Sequence, residues 1–405
     1  MSAPYFFFHP ILAANRSWIA LDWQPESLAE ADCSAFIQCF SDADATPLAE
    51  LLPFVTSIKP DFLNRKDFLD AFDKAPVTFV LPASCIEDEP LLRQCEAWSR
   101  QGHRLAMQID TSATLRRVPV AAFNAVRFDA LFARQELPPQ DLEHARTIGL
   151  KTIATNVDSY EMFGWLAAKG IEWSDSHFLA STNPDRGREP DLARLKLLKL
   201  LNLVKRDGDT REIEAIFREE AKLSYNLLRL VNSVAVGART KISSFSQAIA
   251  ILGRRQLQRW LQLLIYANNL ADGSAANPLM QLAAARGRQM ELLSAAVAPI
   301  PGVPELGDDA FMTGLFSLLG VLINLPMNEI LKEIPLQDAV IDALNNPGDS
   351  CILGQLLSAV IAGESGNFEA SRQILSKFGI SPQVHARAQV TAYYWASRIN
   401  IDNHD

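Results

Sequence analysis

The sequence predicts an α/β domain followed by an all-helical (all-α) domain, and three features of the chain indicate this division. Short apolar runs alternate with helical patterns in residues 1–182, which is typical of βαβ units and a parallel sheet. Residues 183–190 combine prolines, a glycine and charges without an apolar period, as a linker does. Residues 191–405 carry successive amphipathic helical patterns and no convincing strand.

The first domain contains six predicted strands with helical segments between some of them. The strands are Tyr5–Ile11, Ser17–Trp23, Val77–Pro82, Arg104–Ile109, Ala125–Phe128 and Lys151–Val157, and the clearest helices are Glu89–Arg100 and Leu137–Ile148. A complete (β/α)₈ barrel takes about 250 residues. The shorter span therefore predicts an abbreviated TIM-like (β/α) barrel.

Composition excludes several classes of function. The net charge of −9 and the pI near 5.3 disfavour nucleic acid as the main partner, because phosphate contacts need a concentrated basic face. The five cysteines are odd in number and form no CxxC pair, which indicates buried thiols in a reducing cytosol. No apolar run approaches the roughly 20 residues of a membrane helix. We expect a cytoplasmic protein without a membrane partner.

Five segments of the first domain carry polar residues at or near predicted strand ends. They are Ile19–Gln24, Gly102–Asp110, Val126–Asp129, Ile153–Asp158 and Asp175–Phe178. In this order they resemble the EAL domain, the phosphodiesterase fold that linearises cyclic di-GMP.

The resemblance implies that several catalytic positions are substituted. It places Asp22 where the family has its signature glutamate. In the segment Ile153–Asp158 the family has two acidic residues, and here Thr155 replaces the first while Asp158 keeps a carboxylate. Gln108 and Ile109 stand at an acidic pair, although a shift of one residue would bring Asp110 there. Arg127 replaces the lysine of a Lys-Ile-Asp strand, and Asp175-Ser176-His177-Phe178 replaces a Gln-Gly-Tyr segment.

These substitutions predict that the chain is not an enzyme and has no metal ligands or cofactor. Hydrolysis of a phosphodiester with two metals needs several carboxylates around Mg²⁺ or Mn²⁺, and Gln, Ile and Thr cannot supply them. Arg127, Asp129 and Asp158 remain as weak candidates for nucleotide contact. The alternative is structural: Asp22, Asp129 and Asp158 as helix caps or loop acceptors, and Arg127 paired with Asp129 or Asp158.

The histidines of the first domain have a structural interpretation. His9 and His177 lie in apolar segments without a partner at metal-ligand spacing, so we expect core or rim histidines.

The second domain carries a characteristic series of residues, Leu227–Ser233, Gly237 and Ile242–Gly253. In this order they resemble the HDOD family, an all-helical relative of the HD-type metal phosphohydrolases. Thr313–Gly320 is similar to the HD-motif helix, with Ser317 and Leu318 where His and Asp would stand. HDOD domains characteristically lack the metal ligands, so no metal is expected here either.

One compact basic cluster, Gly253–Trp260, interrupts this helical half. Its arginines Arg254, Arg255 and Arg259 are a candidate phosphate-binding surface, and a solvated helix face is the favoured alternative.

The combination resembles the bacterial EAL–HDOD signalling proteins. It implies a non-catalytic signal-transduction adaptor that contacts other signalling proteins, in cyclic-di-GMP-linked regulation of motility or biofilm. Two alternatives stay open: a receptor that binds cyclic di-GMP weakly without hydrolysis, and a residual phosphodiesterase.

Overall fold

The computed structural model describes residues 4–73, 75–181, 277–297, 306–333, 336–348 and 351–399, and a few single positions between 247 and 263. The chain forms two compact units. The first comprises Met1–Ser181 and Ile361–Val390, and the second comprises Thr182–Val360 and Thr391–Asp405.

A closed barrel of eight strands forms the centre of the first unit. The strands, in their order around the barrel, are β1 (Phe6–Ala13), β2 (Trp18–Pro25), β3 (Phe54–Ser57), β4 (Val77–Leu81), β5 (Arg104–Gln108), β6 (Ala125–Asp129), β7 (Lys151–Thr155) and β8 (Trp173–Asp175). Strand β1 is antiparallel to both β2 and β8, while all other neighbours are parallel. The predicted barrel is therefore confirmed.

The sequence prediction finds six of these strands and omits β3 and β8. Both omitted strands are short. Strand β3 has four residues directly after Pro53, and β8 has three. A run of that length carries too few residues to show a period of two, so periodicity alone does not identify these strands.

The abbreviation lies in the connections of the barrel. The helices are α1 (Cys33–Asp42), α2 (Thr46–Leu51), α3 (Lys66–Phe72), α4 (Glu89–Arg100), α5 (Ser112–Arg116), α6 (Ala130–Glu136), α7 (Pro139–Thr147) and α8 (Tyr160–Ala168). Their lengths range from five to twelve residues. Helix α4 has the predicted bounds, because Asp88 caps it by accepting the N–H of Leu91 at 3.0 Å.

One layer of buried apolar side chains fills the barrel interior. Its members are Ile11, Ala20, Val55, Val80, Ala106, Ala125 and Ile153, one from each of β1–β7. Three of the seven are alanines, which allows the barrel to close tightly.

Outside β1–β4, an aromatic cluster packs the sheet against α1 and α3. It contains Phe6, Phe8, Trp23, Phe36, Phe40, Phe54, Phe68, Phe72 and Phe79.

Residues 361–390, which we call the C-terminal plug, complete the first unit. The plug contains the end of α14 (Ile352–Glu364), α15 (Phe368–Lys377) and the first half of α16 (Pro382–Ser397).

The plug supplies hydrogen bonds to a strand edge that β8 leaves open. Strand β8 pairs with β1 only along Ile11–Ala13. Farther along β1, Gln389 accepts the N–H of Phe8 at 3.1 Å and donates to the carbonyl of Phe6 at 2.7 Å. This one buried amide satisfies two backbone groups, as a neighbouring strand would.

The described part of the second unit is helical. It contains α9 (Pro278–Ala296), α10 (Gly307–Phe316), α11 (Leu319–Ile323), α12 (Met327–Glu333), α13 (Asp338–Asn345) and the remaining parts of α14 and α16. Helices α9 and α10 meet at two glycines. A Cβ on Gly314 would lie 2.8 Å from Gly287 Cα, so only glycine permits this approach of the two backbones.

The domain limits 1–182, 183–190 and 191–405 stay a prediction. Within the described ranges, no helix is both long enough and apolar enough to cross a membrane.

The buried His385 of the plug predicts a specific loss of stability in acid. Its ring lies against Tyr5 and Phe7, and its Nδ1 is 3.2 Å from the amide nitrogen of Gln389. Burial lowers the pKa of His385 to about 3. Because the unfolded chain binds this proton at a pKa near 6.5, stability from this group is lost as the pH falls from about 6.5 towards 3.

We expect this group to remove about 2 to 3 kcal/mol of unfolding free energy between pH 7 and pH 4.5. Thermal unfolding across this pH range should show a smaller acid loss in His385→Leu than in wild type. The matched control is His144→Gln, at an exposed histidine of α7, which should keep the wild-type slope. Equal slopes in His385→Leu and wild type would contradict the prediction.

Candidate functional site at the barrel mouth

A ring of polar side chains lies above the apolar layer, at the carboxyl ends of the parallel strands. Side chains alternate along a strand, so the residue two positions beyond each apolar one also points inward. We call these residues the mouth layer: His9, Asp22, Ser57, Gln108, Arg127 and Thr155. His9 precedes Ile11 because β1 runs in the opposite direction.

Arg127 is the centre of the mouth layer. Its side chain is 13% exposed. Its Nε donates to Gln108 Oε1 at 2.9 Å, Nη2 donates to Ser57 Oγ, and Nη1 lies 3.6 Å from Asp22 Oδ1. The guanidinium thus holds β3, β5 and β6 together and faces the carboxylate of β2.

The predicted pairing of Arg127 with Asp129 or Asp158 is wrong. The carboxylate that faces Arg127 is that of Asp22, and Asp129 caps a helix. Asp129 caps α6 by accepting the N–H of Phe132 at 3.0 Å. Its other oxygen accepts the Asn156 amide at 2.8 Å, and Asn156 adopts a left-handed φ of 58°. The predicted role of Asp129 as a helix cap is confirmed.

The other aspartates lie differently. Asp158 is exposed beyond β7, and the cap of α8 is Ser159, which accepts the N–H of Met162 at 3.2 Å. Asp110 is exposed and accepts the Thr114 hydroxyl at 3.2 Å. Gln108, not Asp110, therefore occupies the mouth position on β5. Asp22 is buried and accepts the Gln24 amide at 2.5 Å, which makes it a mouth residue and not a cap.

A second polar group lies on the β1–β8 side of the mouth. The rings of His9 and His177 are 5.3 Å apart, and His177 Nδ1 lies 3.0 Å from Asp175 Oδ2. Burial lowers the pKa of His9, and the neighbouring His177 lowers it further. Burial also opposes the charged form of His177, but the hydrogen bond to Asp175 and the charges of Asp175, Asp22 and Glu364 together raise the pKa of His177 above its usual value. Asp175 is fixed by the N–H of Val157 at 3.0 Å.

A cavity of about 220 Å³ opens on the opposite side of the mouth, along β3–β6. Its polar lining includes Ser57, Lys59, Gln108 and Arg127. The ammonium of Lys59 already donates to the carbonyls of Ala29 and Ala31, at 2.7 and 2.9 Å. Arg127, unlike Lys59, makes its hydrogen bonds to side chains and none to backbone carbonyls.

In the part of the chain that the structure describes, no three His, Cys, Asp or Glu side chains are grouped so that they could hold a metal ion. Around Arg127 the donors are one carboxylate, one amide and one hydroxyl. The one negative charge among them, that of Asp22, lies beside the positive charge of the guanidinium.

In the helical half, a buried arginine donates to the residue at the predicted HD-motif position. Arg286 of α9 is 3% exposed, and its Nη1 donates to Ser317 Oγ at 2.6 Å. Ser317 is the residue that the sequence places at the histidine of an HD motif. The predicted helix over Thr313–Gly320 is interrupted there, since α10 ends at Phe316 and α11 begins at Leu319.

Arg259 belongs to an internal ion-pair network and not to a solvated face. It donates to Glu291 and, at 3.1 Å, to Asp308, and its side chain is 14% exposed. Its guanidinium lies 5.0 Å from the centre of the Phe311 ring. Arg254 and Arg255 lie outside the described residues, as do Leu227–Ser233 and Gly237.

Sequence reasoning found Asp22, Gln108 and Arg127 but missed Ser57 and the pairing of His9 with His177. Ser57 ends a strand that was not predicted. His9 and His177 are separated by most of the barrel in sequence and meet only because β8 closes on β1. The signal that could have found Ser57 is the short apolar run Phe54–Val55 after Pro53.

Part of the helical half matches a known domain family. Residues 192–336 match the HDOD domain family. The chain is 24% identical to the uncharacterized protein YuxH of Bacillus subtilis over 335 residues, which cover 79% of this chain and 80% of YuxH. It is 23% identical over 249 residues to the cyclic di-GMP phosphodiesterase CdgJ of Vibrio cholerae, covering 61% of this chain and 56% of CdgJ. The chain therefore spans just over half the length of CdgJ.

Solved EAL structures are among the matches to the N-terminal region. The EAL domain of Mycobacterium smegmatis DcpA is 14% identical, with 43% of this chain and 88% of that chain covered and a TM-score of 0.34. The PaMucR phosphodiesterase in complex with c-di-GMP is 13% identical, with coverages of 42% and 88% and a TM-score of 0.33. The predicted order of a barrel followed by a helical half is confirmed, and the family match over residues 192–336 agrees with the predicted HDOD domain.

The contacts of Arg127 predict that its removal destabilises the barrel. In Arg127→Met, the buried carboxylate of Asp22 loses its cation, and Gln108 and Ser57 lose their shared donor. We expect a loss of about 2 to 4 kcal/mol in unfolding free energy. Urea denaturation followed by tryptophan fluorescence measures it.

Two further variants make this measurement specific. Asp22→Asn combined with Arg127→Met should recover more than half of the loss, because the unpaired charge is then absent. Arg134→Met breaks the exposed pair with Glu161 and should change stability by less than about 0.5 kcal/mol. Wild-type stability in Arg127→Met would contradict the role assigned to this side chain.

Proposed function

We propose that this chain, with an EAL-like barrel followed by an HDOD domain, is a non-catalytic regulatory protein that acts by contacting other signalling proteins. The observation that carries the proposal is the position of Arg127. Its guanidinium lies at the centre of the barrel mouth. It donates hydrogen bonds to Gln108 and Ser57 and lies 3.6 Å from the carboxylate of Asp22.

The donor set of the mouth does not fit a pair of divalent cations. Mg²⁺ and Mn²⁺ prefer several hard, anionic oxygens, and two-metal sites place the ions about 3.5 to 4 Å apart. Here one carboxylate, Asp22, faces a fixed positive charge at a similar distance. A divalent ion beside Asp22 would be repelled by Arg127, so we derive no reaction step through a metal.

The helical half supports the same proposal independently. Its residue at the HD-motif position, Ser317, accepts a hydrogen bond from the buried Arg286. The mouth layer has one carboxylate that faces Arg127, and the HD-motif position holds a serine beside Arg286. Both arrangements favour a role in binding over a role in catalysis.

The relatives support a link to cyclic di-GMP. CdgJ carries the name of a cyclic di-GMP phosphodiesterase, and PaMucR was solved as a c-di-GMP complex. From this likeness we propose that the chain takes part in cyclic-di-GMP-linked regulation, of which motility and biofilm formation are the outputs that the EAL–HDOD resemblance implies.

A second candidate function is a cyclic-di-GMP receptor that binds without cleaving. The observation that favours it is the cavity of about 220 Å³ lined by Arg127, Gln108 and Ser57. A guanidinium in a half-buried pocket suits a phosphate group. The volume is below the range of about 300 to 1,000 Å³ usual for pockets that enclose a small molecule, which ranks this candidate second.

One experiment separates these functions. Cyclic di-GMP is titrated calorimetrically into the full-length protein with Mn²⁺, and the recovered solution is analysed for the linear dinucleotide. We expect no linear product and no binding in the low-micromolar range. Affinity capture with the full-length protein as bait should retain a partner protein, because the proposed role is protein contact.

The other outcomes are equally informative. Saturable low-micromolar binding that is lost in Arg127→Ala establishes the receptor and removes the pure adaptor. Mn²⁺-dependent linear product that disappears in Asp22→Ala establishes a phosphodiesterase and contradicts the proposal.

A further inference from the structure

We propose that the C-terminal plug is an autoinhibitory cover that closes the β1–β8 side of the barrel mouth and can be released. Its release exposes the polar group formed by His9, Asp22, Asp175 and His177. This inference does not depend on whether the chain binds cyclic di-GMP.

The plug covers the inward face of β1. Phe7 and His9 are on the same face of β1 as Ile11, which belongs to the interior layer. The Phe7 ring stacks on Phe368 of the plug, with ring centres 4.4 Å apart and planes within 9°. His9 Nε2 lies 2.9 Å from the carbonyl oxygen of Gly363 and donates to it.

The fit at this point depends on a glycine. A Cβ at position 363 would lie 2.9 Å from the Phe7 ring, so the α14 backbone approaches β1 as closely as the ring allows. Gly363 is buried. The close contact shows that the plug is seated in the mouth and does not merely pass over it.

The closed state leaves part of the covered polar group unsatisfied. His9 is 5% exposed, and its Nδ1 has no hydrogen-bond partner among the described residues. A buried nitrogen without a partner costs free energy, and exposure to water would recover it. The same histidine that receives the plug therefore also opposes its closure.

Besides the buried hydrogen bonds of Gln389 and Gly363, a charged triad at its exposed edge holds the plug. Arg372 lies 2.6 Å from Glu26, directly after β2, and 2.5 Å from Glu369 of its own helix. Burial raises the pKa of Glu26, partly offset by Arg372. The Arg372 side chain is 38% exposed, so solvent can compete for this ion pair. It is the contact at which a partner or a charge change would open the plug.

The helices that join the plug to the second unit are consistent with a releasable cover. Helices α14 and α16 each run without a break from plug residues into residues of the second unit. The plug is therefore held in the chain by helices at both of its ends, so a rearrangement of either helix can act on it directly.

Chemical modification of His9 tests the proposal on the full-length protein. Diethyl pyrocarbonate reacts with accessible neutral imidazoles, and mass spectrometry measures the rate at each histidine. In Arg372→Glu, a negative charge replaces the cation between Glu26 and Glu369. We expect His9 to react about fivefold faster relative to the exposed His144, the effect of losing one ion pair.

A charge swap and two controls complete the design. Glu26→Arg combined with Arg372→Glu should restore the slow wild-type rate. Arg134→Glu disrupts an exposed ion pair elsewhere on the barrel and should leave His9 unchanged. Alkylation of the fully buried Cys95 reports general unfolding. An unchanged His9 rate in Arg372→Glu, a rise matched by Cys95, or failure of the swap to restore protection overturns the proposal.

Discussion

The guanidinium of Arg127 is the constraint on which the barrel mouth depends. It joins the carboxyl ends of β3, β5 and β6 through Ser57 and Gln108, and it faces the buried carboxylate of Asp22 on β2. A buried carboxylate needs a cation or several donors. In this barrel a side chain provides that cation, so the strand ends are held together without an added ion. The same interaction orders the mouth.

The opposite side of the mouth depends on backbone hydrogen bonds. Because β8 is short, the β1 edge at Phe6 and Phe8 has no strand beside it, and Gln389 of the plug takes that place. The barrel unit is thus completed by residues that lie more than 350 positions away in the chain. One side of the mouth is closed by the plug, and the other remains open as a cavity that Arg127 lines.

The sequence predicts the architecture better than it predicts the site. Alternating apolar runs locate six strands, and the order of the polar segments places Asp22, Gln108 and Arg127 at the mouth. The partners of Arg127 are not predicted, because Ser57 ends a four-residue strand and Asp129 is diverted to cap α6. The contacts of Gln389, Gly363 and Arg372 with β1 and β2 have no local signal, since each joins residues distant in the chain.

The most direct test of the account is whether the protein binds Mn²⁺. Electron paramagnetic resonance detects the free aqueous ion during a titration into the full-length chain, and this measurement covers both halves at once. Because Arg127 faces the one carboxylate of the mouth layer, and Ser317 beside Arg286 stands at the HD-motif position, the account predicts a free-ion signal equal to that in buffer at equimolar protein. Loss of the signal at one or two ions per chain, restored in Asp22→Asn, would contradict it.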